Sequence, residues 1–190
     1  MLNIVLFGPP GAGKGTQADK IKEHYNLTHL STGDIFRENI KVETELGLLA
    51  KSYMDKGNLV PDEVTIKMLE SEVNKHSGSK GFIFDGFPRT KDQAVALDDF
   101  LSSTNSQIDK MIALNVPEDE LIKRLLERGV ASGRADDQDE EIIANRIRVY
   151  EKQTAVLASF YASQNKLSTV NGLGSIDEIT TRIYSAIDKN

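Results

Sequence analysis

The chain has 190 residues, of which 39% are hydrophobic and 27% are charged, values typical of one globular domain with a single core. Its net charge of −6 argues against general affinity for nucleic acid or for an anionic membrane surface. No apolar run approaches the roughly 20 residues of a membrane span, and no cysteine is present for disulfides or for cysteine-ligated zinc. The N-terminus has no signal-peptide pattern, so we expect a cytoplasmic protein without a nucleic-acid or membrane partner.

A glycine-rich loop follows the first predicted strand. Leu2–Phe7 is a short apolar run, and residues 8–16 read Gly-Pro-Pro-Gly-Ala-Gly-Lys-Gly-Thr, with a helix predicted from Lys14 to about Tyr25. Such a loop aims backbone N–H groups at a polyphosphate, and its glycines allow positive φ and close approach. Lys14 adds a point charge for the β- and γ-phosphates. The hydroxyl comes one residue later than in the general phosphate-loop pattern, at Thr16. We interpret this variant as a nucleoside triphosphate site rather than a plain glycine turn.

Strands and helices alternate along the rest of the chain. Further strands are predicted at 28–30, 82–84, 110–116 and 167–170, and helices at about 34–41, 45–56, 61–75, 90–101, 117–128, 140–163 and 175–187. Five strands interleaved with helices predict a parallel sheet covered on both faces, with ligands beyond the carboxyl ends of the strands. Segment 31–60 holds three helical pieces and no strand, which indicates an insertion that moves as a flap.

Charged residues stand at the mouths of the predicted loops. Asp85 directly follows a strand, where an acid opposite a phosphate loop holds magnesium, usually through water; a turn or capping aspartate is the alternative. Several arginines lie at loop mouths or on two helices that flank one short loop, and guanidinium groups fork onto phosphate oxygens. Their convergence suits a reaction that joins two phosphorylated molecules, although ordinary pairing with the acids at 136–141 is the alternative for any one of them. The arginines concerned are Arg37, Arg89, Arg124, Arg128, Arg134 and Arg146.

Several longer blocks occur in a fixed order: 8–17, Ser31–Asp34 with Arg37, Gly57–Glu63, Asp85–Thr90 with Gln93, Arg124–Gly129, Ser132–Asp137 and Arg146. With these blocks the chain resembles the adenylate kinase family over essentially its whole length. The resemblance implies an α/β fold, a P-loop three-layer sandwich in which helices cover a five-stranded parallel sheet. It also implies a core at 1–30, 61–128 and 139–190, an AMP-binding flap at 31–60 and a lid at 129–138. This lid matches the family's short form, without the zinc-binding cysteines of the long form, so no structural zinc is expected.

The resemblance further implies reversible transfer of the terminal phosphoryl group of magnesium-bound ATP to AMP, which gives two ADP and maintains the adenine nucleotide balance. Carried over by position, the transferring group would be surrounded by Lys14, Arg89, Arg124, Arg128, Arg134 and Arg146. ATP would be held by Gly11, Ala12, Gly13, Lys14, Gly15, Thr16 and Arg128, with Gly174 beside its adenine. AMP would be held by Thr32, Arg37, Asn58, Leu59, Val60, Gly86, Phe87, Pro88, Arg89, Gln93, Arg134 and Arg146. Asp85 would hold Mg²⁺, and nothing in the chain suggests more than a monomer.

Three positions depart from the family pattern without touching a ligand position. The family usually has glutamate at the position of Val95, an acid at that of Asn115 and proline at that of Val156. We expect these three residues to alter stability or lid mobility. A proline in a regular helix interior removes a hydrogen bond and costs about 3 kcal/mol. We therefore expect Val156 to let its helix run straighter.

Other functions predict other residues. A UMP/CMP kinase shares the fold and loop, but Thr32 and Gln93 match adenine-reading positions, and a side-chain amide meets both a donor and an acceptor on adenine's edge. A GTPase-like switch should carry Asn-Lys-x-Asp, whereas the Asn-Lys pairs at 74–77 and 165–168 lack the aspartate. An inactive nucleotide-binding scaffold is disfavoured because no expected catalytic position is missing.

Overall fold

A five-stranded parallel sheet lies at the centre of the computed structural model, which describes residues 1–189. Its strands are β1 (Ile4–Phe7), β2 (Thr28–Ser31), β3 (Phe82–Asp85), β4 (Lys110–Asn115) and β5 (Leu167–Asn171). They lie in the order β2-β3-β1-β4-β5, with Ile4 of β1 opposite Ile83 of β3 and Lys110 of β4. The predicted parallel sheet of five strands is confirmed.

Nine α-helices connect and cover the strands in the described part of the chain. They are α1 (Lys14–Tyr25), α2 (Thr32–Lys41), α3 (Glu45–Met54), α4 (Asp62–Lys75), α5 (Lys91–Ser103), α6 (Glu118–Ser132), α7 (Glu140–Val149), α8 (Leu157–Ala162) and α9 (Ile176–Asp188). Side-chain oxygens of Ser31, Thr44, Thr90, Asp139 and Ser175 accept hydrogen bonds from free N–H groups at five helix starts, which fixes where these helices begin. Within residues 1–189, none of the helices combines the length and the apolar character needed to cross a membrane.

Both faces of the sheet are buried. Successive side chains of a strand point to opposite faces, so Ile4 and Leu6 pack on one side with α1 and α9, while Val5 and Phe7 pack on the other with α4, α5 and α8. This burial explains why the central strands β1 and β3 are nearly uninterrupted apolar runs rather than alternating ones. The helix, sheet and helix layers form the predicted three-layer sandwich.

The segment 31–60 holds two helices, α2 and α3, and not three. The third predicted piece begins only at Asp62, after Pro61, and is α4. Phe36, Ala50, Val60 and Met68 form a small cluster of their own, separate from the two clusters on the sheet faces. The segment therefore packs mainly on itself and on α4.

Helix α6 continues past its predicted end. Arg128 was the expected last residue, but the helix runs to Ser132, and a 3-10 turn follows at Ala135–Asp137. The first four residues of the predicted lid therefore belong to the last turn of α6. Gly129 allows a close approach of the two elements, because an added Cβ would collide with the backbone carbonyl of Asp137.

The predicted long helix 140–163 is interrupted. A π-helical turn occupies Tyr150–Thr154, between α7 and α8, and the Ala155 N–H donates to the Tyr150 carbonyl at 2.8 Å. This widened turn ends at Thr154, two residues before Val156, so the stretch around Val156 is not a continuous α-helix. The effect of valine relative to proline at this position stays a prediction. Apolar spacing alone did not indicate the extra residue in the turn.

Candidate active site

A cleft of about 680 Å³ opens beyond the carboxyl ends of the central strands. Its walls are the glycine-rich loop, the loop after β3, the segment 31–60 and the segment that follows α6. The cleft contains the cationic side chains that the sequence singled out: Lys14, Arg37, Arg89, Arg124, Arg128, Arg134 and Arg146. The fold thus brings together residues that are more than a hundred positions apart in the sequence.

The glycine-rich loop is closed on itself by hydrogen bonds. Gly11 and Gly13 have φ of 86° and 89°, which an L side chain rarely adopts. The Lys14 ammonium donates to the carbonyl oxygens of Gly8 at 2.8 Å and Pro9 at 3.0 Å. Lys14 therefore lies against loop carbonyls, in a position from which phosphate oxygens can take over its donors.

Burial lowers the pKa of Lys14 from its ordinary value to about 8. The neighbouring Asp85 carboxylate acts in the opposite direction, while Arg89, Arg128 and Arg146 lower the pKa further. A buried ammonium among other cations is poorly stabilised unless an anion joins it. The site is thus electrostatically prepared for a polyphosphate.

Arg89 is the other deeply placed cation. Its Nε–H donates to the Gly86 carbonyl at 2.7 Å, and burial, with the charge of Arg146, lowers its pKa to about 10. Across residues 1–189, neither Arg89 nor Lys14 has a carboxylate within ion-pair distance. These two side chains supply positive charge that the described chain does not neutralise directly.

The arginines near the predicted lid are paired with acids. Arg128 contacts both oxygens of Asp137, at 2.6 and 3.0 Å, and Arg146 contacts Asp137 as well as Asp136 at 3.0 Å. Asp137 is fully buried; burial would raise its pKa, but the two arginines hold it below the ordinary value. Both interpretations from the sequence therefore apply to Arg128 and Arg146. They pair with acids of segment 136–141, and they also line the cleft. The buried position of Asp137 had no signal in the sequence.

Asp34 joins two arginines from different parts of the chain. Its carboxylate accepts from Arg37 at 2.6 Å and from Arg134 at 3.2 Å. Burial opposes its ionisation, but Arg37, Ser31 and Arg134 lower its pKa. The only sequence signal for this pair is the spacing of three residues between Asp34 and Arg37 on one helix.

Asp85 and His29 lie together on the floor of the cleft. The imidazole Nε2 of His29 is 3.4 Å from Asp85 Oδ2, a contact that the scattered histidines did not predict. Burial would raise the pKa of Asp85, but His29, Lys14 and Arg89 lower it. A Cβ on Gly15 would lie 3.9 Å from Asp85 Oδ2, so the carboxylate faces the glycine-rich loop.

A narrow side pocket continues from the cleft toward the segment 31–60. Most of the residues expected at the AMP site line it: Thr32, Asn58, Leu59, Val60, Gly86, Arg89 and Gln93. Phe87 and Pro88, joined by a cis peptide bond, and Arg37 line the main cleft instead. Ala12 and Gly174 line neither cavity; Gly174 lies just before α9, beside Glu178 and Arg182.

Comparison with known proteins gives a consistent result. The adenylate kinase family model matches residues 6–166. The adenylate kinase of Flavobacterium psychrophilum is 63% identical over 188 residues, which cover 99% of each chain. The adenylate kinases of Flavobacterium johnsoniae and Bacteroides thetaiotaomicron are 60% and 51% identical, over 99% and 100% of each chain.

Proposed function

The chain belongs to the adenylate kinase family, and we propose that its cleft binds ATP and AMP so that their phosphate groups meet among the buried cations. It is an ATP:AMP phosphotransferase, which moves a phosphoryl group between its nucleotide substrates ATP, AMP and ADP. One observation carries the proposed arrangement: a cleft that holds Lys14 and Arg89 without acidic partners is continuous with a narrower side pocket. Two ligands that share one cationic centre fit this shape.

In the proposed arrangement, the ATP phosphates lie along Gly11–Thr16 and on Arg128. Phosphate oxygens replace the carbonyl oxygens of Gly8 and Pro9 as acceptors for Lys14. Backbone N–H groups of the loop and the start of α1 donate to the remaining oxygens. The placement of Gly174 beside the adenine of ATP remains an expectation from the family pattern, because Gly174 lines neither cavity.

AMP then occupies the side pocket with its phosphate toward the cleft. Thr32, Asn58–Val60, Gly86 and Gln93 surround the nucleotide, while Phe87 and Pro88 form the adjoining wall. The guanidinium groups that would bind its phosphate are those of Arg37, Arg89, Arg134 and Arg146. Phosphoryl transfer needs alignment and charge neutralisation rather than a covalent intermediate. The alignment and the charge neutralisation would be supplied by six cationic side chains: Lys14, Arg89, Arg124, Arg128, Arg134 and Arg146.

The acids that hold these arginines keep them in place before substrate binds. Asp137 positions Arg128 and Arg146, and Glu120 holds Arg124 through a 2.7 Å contact. Charged groups fixed in advance stabilise developing charge without a reorganisation cost at the moment of reaction.

The residues present fit magnesium bound through the nucleotide. Asp85 is a buried carboxylate of lowered pKa that faces the glycine-rich loop. In the described chain, no three His, Asp or Glu side chains cluster closely enough to hold a metal by themselves. The ion would therefore rely on Asp85, water and phosphate oxygens. When bound, it neutralises charge on the phosphate chain.

Segments 31–60 and 129–138 act, in this proposal, as a flap and a lid over the core formed by the rest of the chain. Closure of both would exclude water, so that the phosphoryl group reaches AMP rather than being hydrolysed. The separate cluster of Phe36, Ala50, Val60 and Met68 supports independent motion of the flap. A monomeric state, a cytoplasmic location and the lack of a nucleic-acid partner stay predictions from the sequence.

The base assignment is tested by steady-state phosphoryl transfer from ATP to AMP, UMP, CMP and GMP, with a magnesium-free control. We expect fast, magnesium-dependent transfer to AMP. A preference for UMP or CMP would overturn the assignment of Thr32 and Gln93, and nucleotide binding without transfer would overturn the catalytic arrangement.

The cationic centre is tested by Arg89→Lys, which keeps the charge but removes the guanidinium fork. We expect kcat to fall by a factor of about 10² or more. Arg182→Lys is the matched control, because Arg182 bonds the carbonyls of Asn171 and Leu173 outside the cleft. Equal losses in the two variants would contradict a special role for Arg89.

A further inference from the structure

The side-chain amide of Gln93 is held at both ends by the protein. Gln93 is 2% exposed and lies at the wall of the side pocket. Its Oε1 accepts from the backbone N–H of Arg89 at 2.7 Å, and its Nε2 donates to Asp62 Oδ1 at 2.7 Å. A donor at one end and a carboxylate at the other define which end of the amide is oxygen and which is nitrogen.

Asp62 is itself fixed. Its second carboxylate oxygen accepts from the Thr90 hydroxyl at 2.7 Å, and Thr90 caps the start of α5 by accepting from the Gln93 N–H at 3.2 Å. Asp62 is the first residue of α4, and only Pro61 separates it from the proposed flap. Contacts at the starts of α4 and α5 thus hold the Asp62 carboxylate against the Gln93 amide.

We propose that Asp62 is a specificity-determining positioning residue, which locks the Gln93 amide in the one orientation that accepts 6-amino purine monophosphates and rejects 6-oxo ones. This inference rests on the proposed function, in which Gln93 reads the base of AMP. A reversed amide would place Oε1 against the Asp62 carboxylate and the NH₂ group against the Arg89 N–H. Both contacts would be repulsive and would leave buried polar groups without partners.

The locked amide complements adenine. A glutamine amide has two N–H donors and two acceptor lone pairs, and one of each is used by Asp62 and Arg89. One donor and one acceptor remain for the pocket. Adenine offers an amino donor beside a ring-nitrogen acceptor, which is the matching order.

Hypoxanthine and guanine present the reverse order, with an oxo acceptor at position 6 beside a ring N–H donor. A freely rotating glutamine would serve either kind of base by turning through half a revolution. The clamped Gln93 cannot turn, so a 6-oxo base leaves donors and acceptors unpaired inside a buried pocket. Unpaired buried polar groups are the strongest source of discrimination between similar substrates.

The test compares AMP with inosine 5′-monophosphate as acceptors for the unaltered protein and for Asp62→Asn. An asparagine at this position keeps the size of the side chain but offers a donor in place of one acceptor, so one of the two repulsive contacts of the reversed amide is relieved and reversal costs less. We expect the ratio of kcat/KM for AMP to that for inosine 5′-monophosphate to fall by about tenfold, the effect of roughly one hydrogen bond. A general structural disturbance would lower both values together and leave the ratio unchanged.

Glu63→Gln is the matched control. Glu63 also lies in the first turn of α4 but is exposed, so this change removes the same charge from the helix start without touching Gln93. Its AMP preference should equal that of the unaltered protein. A fall in the ratio for Glu63→Gln as large as that for Asp62→Asn would overturn the proposal.

Two further measurements keep the inference testable if Asp62→Asn folds poorly. Asp62→Ala also removes the acceptor and should relax the preference in the same direction. In the unaltered protein, one Nε2 proton of Gln93 should exchange slowly with solvent in NMR spectra; rapid exchange of both would overturn the lock. If a folded Asp62 variant keeps the AMP preference of the unaltered protein, the positioning role of Asp62 is overturned but the proposed function is not. If the unaltered protein fails to phosphorylate AMP, the proposed function is overturned.

Discussion

Lys14 is a buried residue whose charge the free protein stabilises poorly. It is buried, its pKa is lowered to about 8, and three arginines contribute to the shift. A phosphate chain beside it would favour the ammonium form and raise the pKa again. Protonation of Lys14 and binding of the nucleotide should therefore be coupled.

We predict that ATP binding takes up a proton in mildly alkaline solution. Below the free-protein pKa of about 8, Lys14 is charged with or without nucleotide, so affinity does not depend on this group. Above it, free Lys14 is neutral while bound Lys14 is charged, so affinity falls as pH rises through this range. Calorimetry at about pH 8.5 without magnesium, in buffers of different ionisation enthalpy, should give an uptake of more than about half a proton per ATP.

Lys14→Met provides the control for this prediction, because methionine has a similar length and no titratable group. Its residual ATP binding should proceed without proton uptake in the same pH range. Uptake of similar size in Lys14→Met would show that another group titrates and would contradict the assignment to Lys14.

At the scale of elements, the end of α6 and the following 3-10 turn act as one unit. Gly129 of α6 lies against the backbone of Asp137, the residue that holds Arg128 and Arg146. The separation of these two elements thus fixes where two of the cleft arginines point.

We predict that Gly129→Ala weakens catalysis as well as stability. The added Cβ would collide with the Asp137 carbonyl, so the 3-10 turn must move and release its arginines. A steric conflict in a packed region costs about 1–3 kcal/mol, which should appear as a lower melting temperature in calorimetry. Turnover should fall more than tenfold, because the arginines lose their alignment.

Gly78→Ala is the matched control, since a Cβ at Gly78 would meet nothing within 4 Å. That change should leave turnover unaltered and leave stability equal or slightly higher, because alanine restricts the unfolded chain. Full turnover in Gly129→Ala would contradict the coupling between the end of α6 and the arginines.

The π-helical turn leads to a different expectation for the valine at 156. Val156 has φ of −58°, which proline adopts readily, and within residues 1–189 its N–H donates to no backbone carbonyl. Val156→Pro should therefore change stability by no more than about 1 kcal/mol and leave turnover unchanged. A calorimetric loss near the roughly 3 kcal/mol of a proline in a regular helix would contradict this reading of the turn.

The elements show which features a sequence can and cannot predict. All five strands were predicted within about two residues of their bounds, and for β1, β3 and β4 the signal was an apolar run next to glycine or proline. The bounds of α1 agreed with prediction. The glycine-rich loop could be placed because strand, glycines, lysine and helix follow one another locally. The π-helical turn, the added turn of α6 and the pairing of Asp62 with Gln93 depend on contacts between distant segments, which no local pattern specifies.

At the scale of the whole molecule, few polar contacts hold the proposed flap against the opposite wall. The Asn145 amide of α7 donates to the Lys56 carbonyl at 2.7 Å and to Asn58 Oδ1 at 3.2 Å. The Asp34 and Arg134 pair adds one more contact, with the Asp34 side chain 55% exposed. Hydrogen bonds contribute about 0.5–1.5 kcal/mol each, and exposed ion pairs about 1 kcal/mol or less. We therefore expect closure of the proposed flap without nucleotide to be marginal, as suits an enzyme that must release its products.

We predict that Asn145→Ala shifts the flap toward an open arrangement. Because the sequence has no cysteine, dyes can be attached at Val42→Cys in the proposed flap and at Val130→Cys in the proposed lid segment. Both positions are exposed, and the dyes would report the distance between them. Without nucleotide, Asn145→Ala should lengthen this distance. Its KM for AMP should rise about two- to tenfold while kcat is kept, since the lost bonds stabilise closure rather than the reaction. Asn74→Ala, on the exposed side of α4, should change neither value; an unaltered distance in Asn145→Ala would contradict the role of this contact.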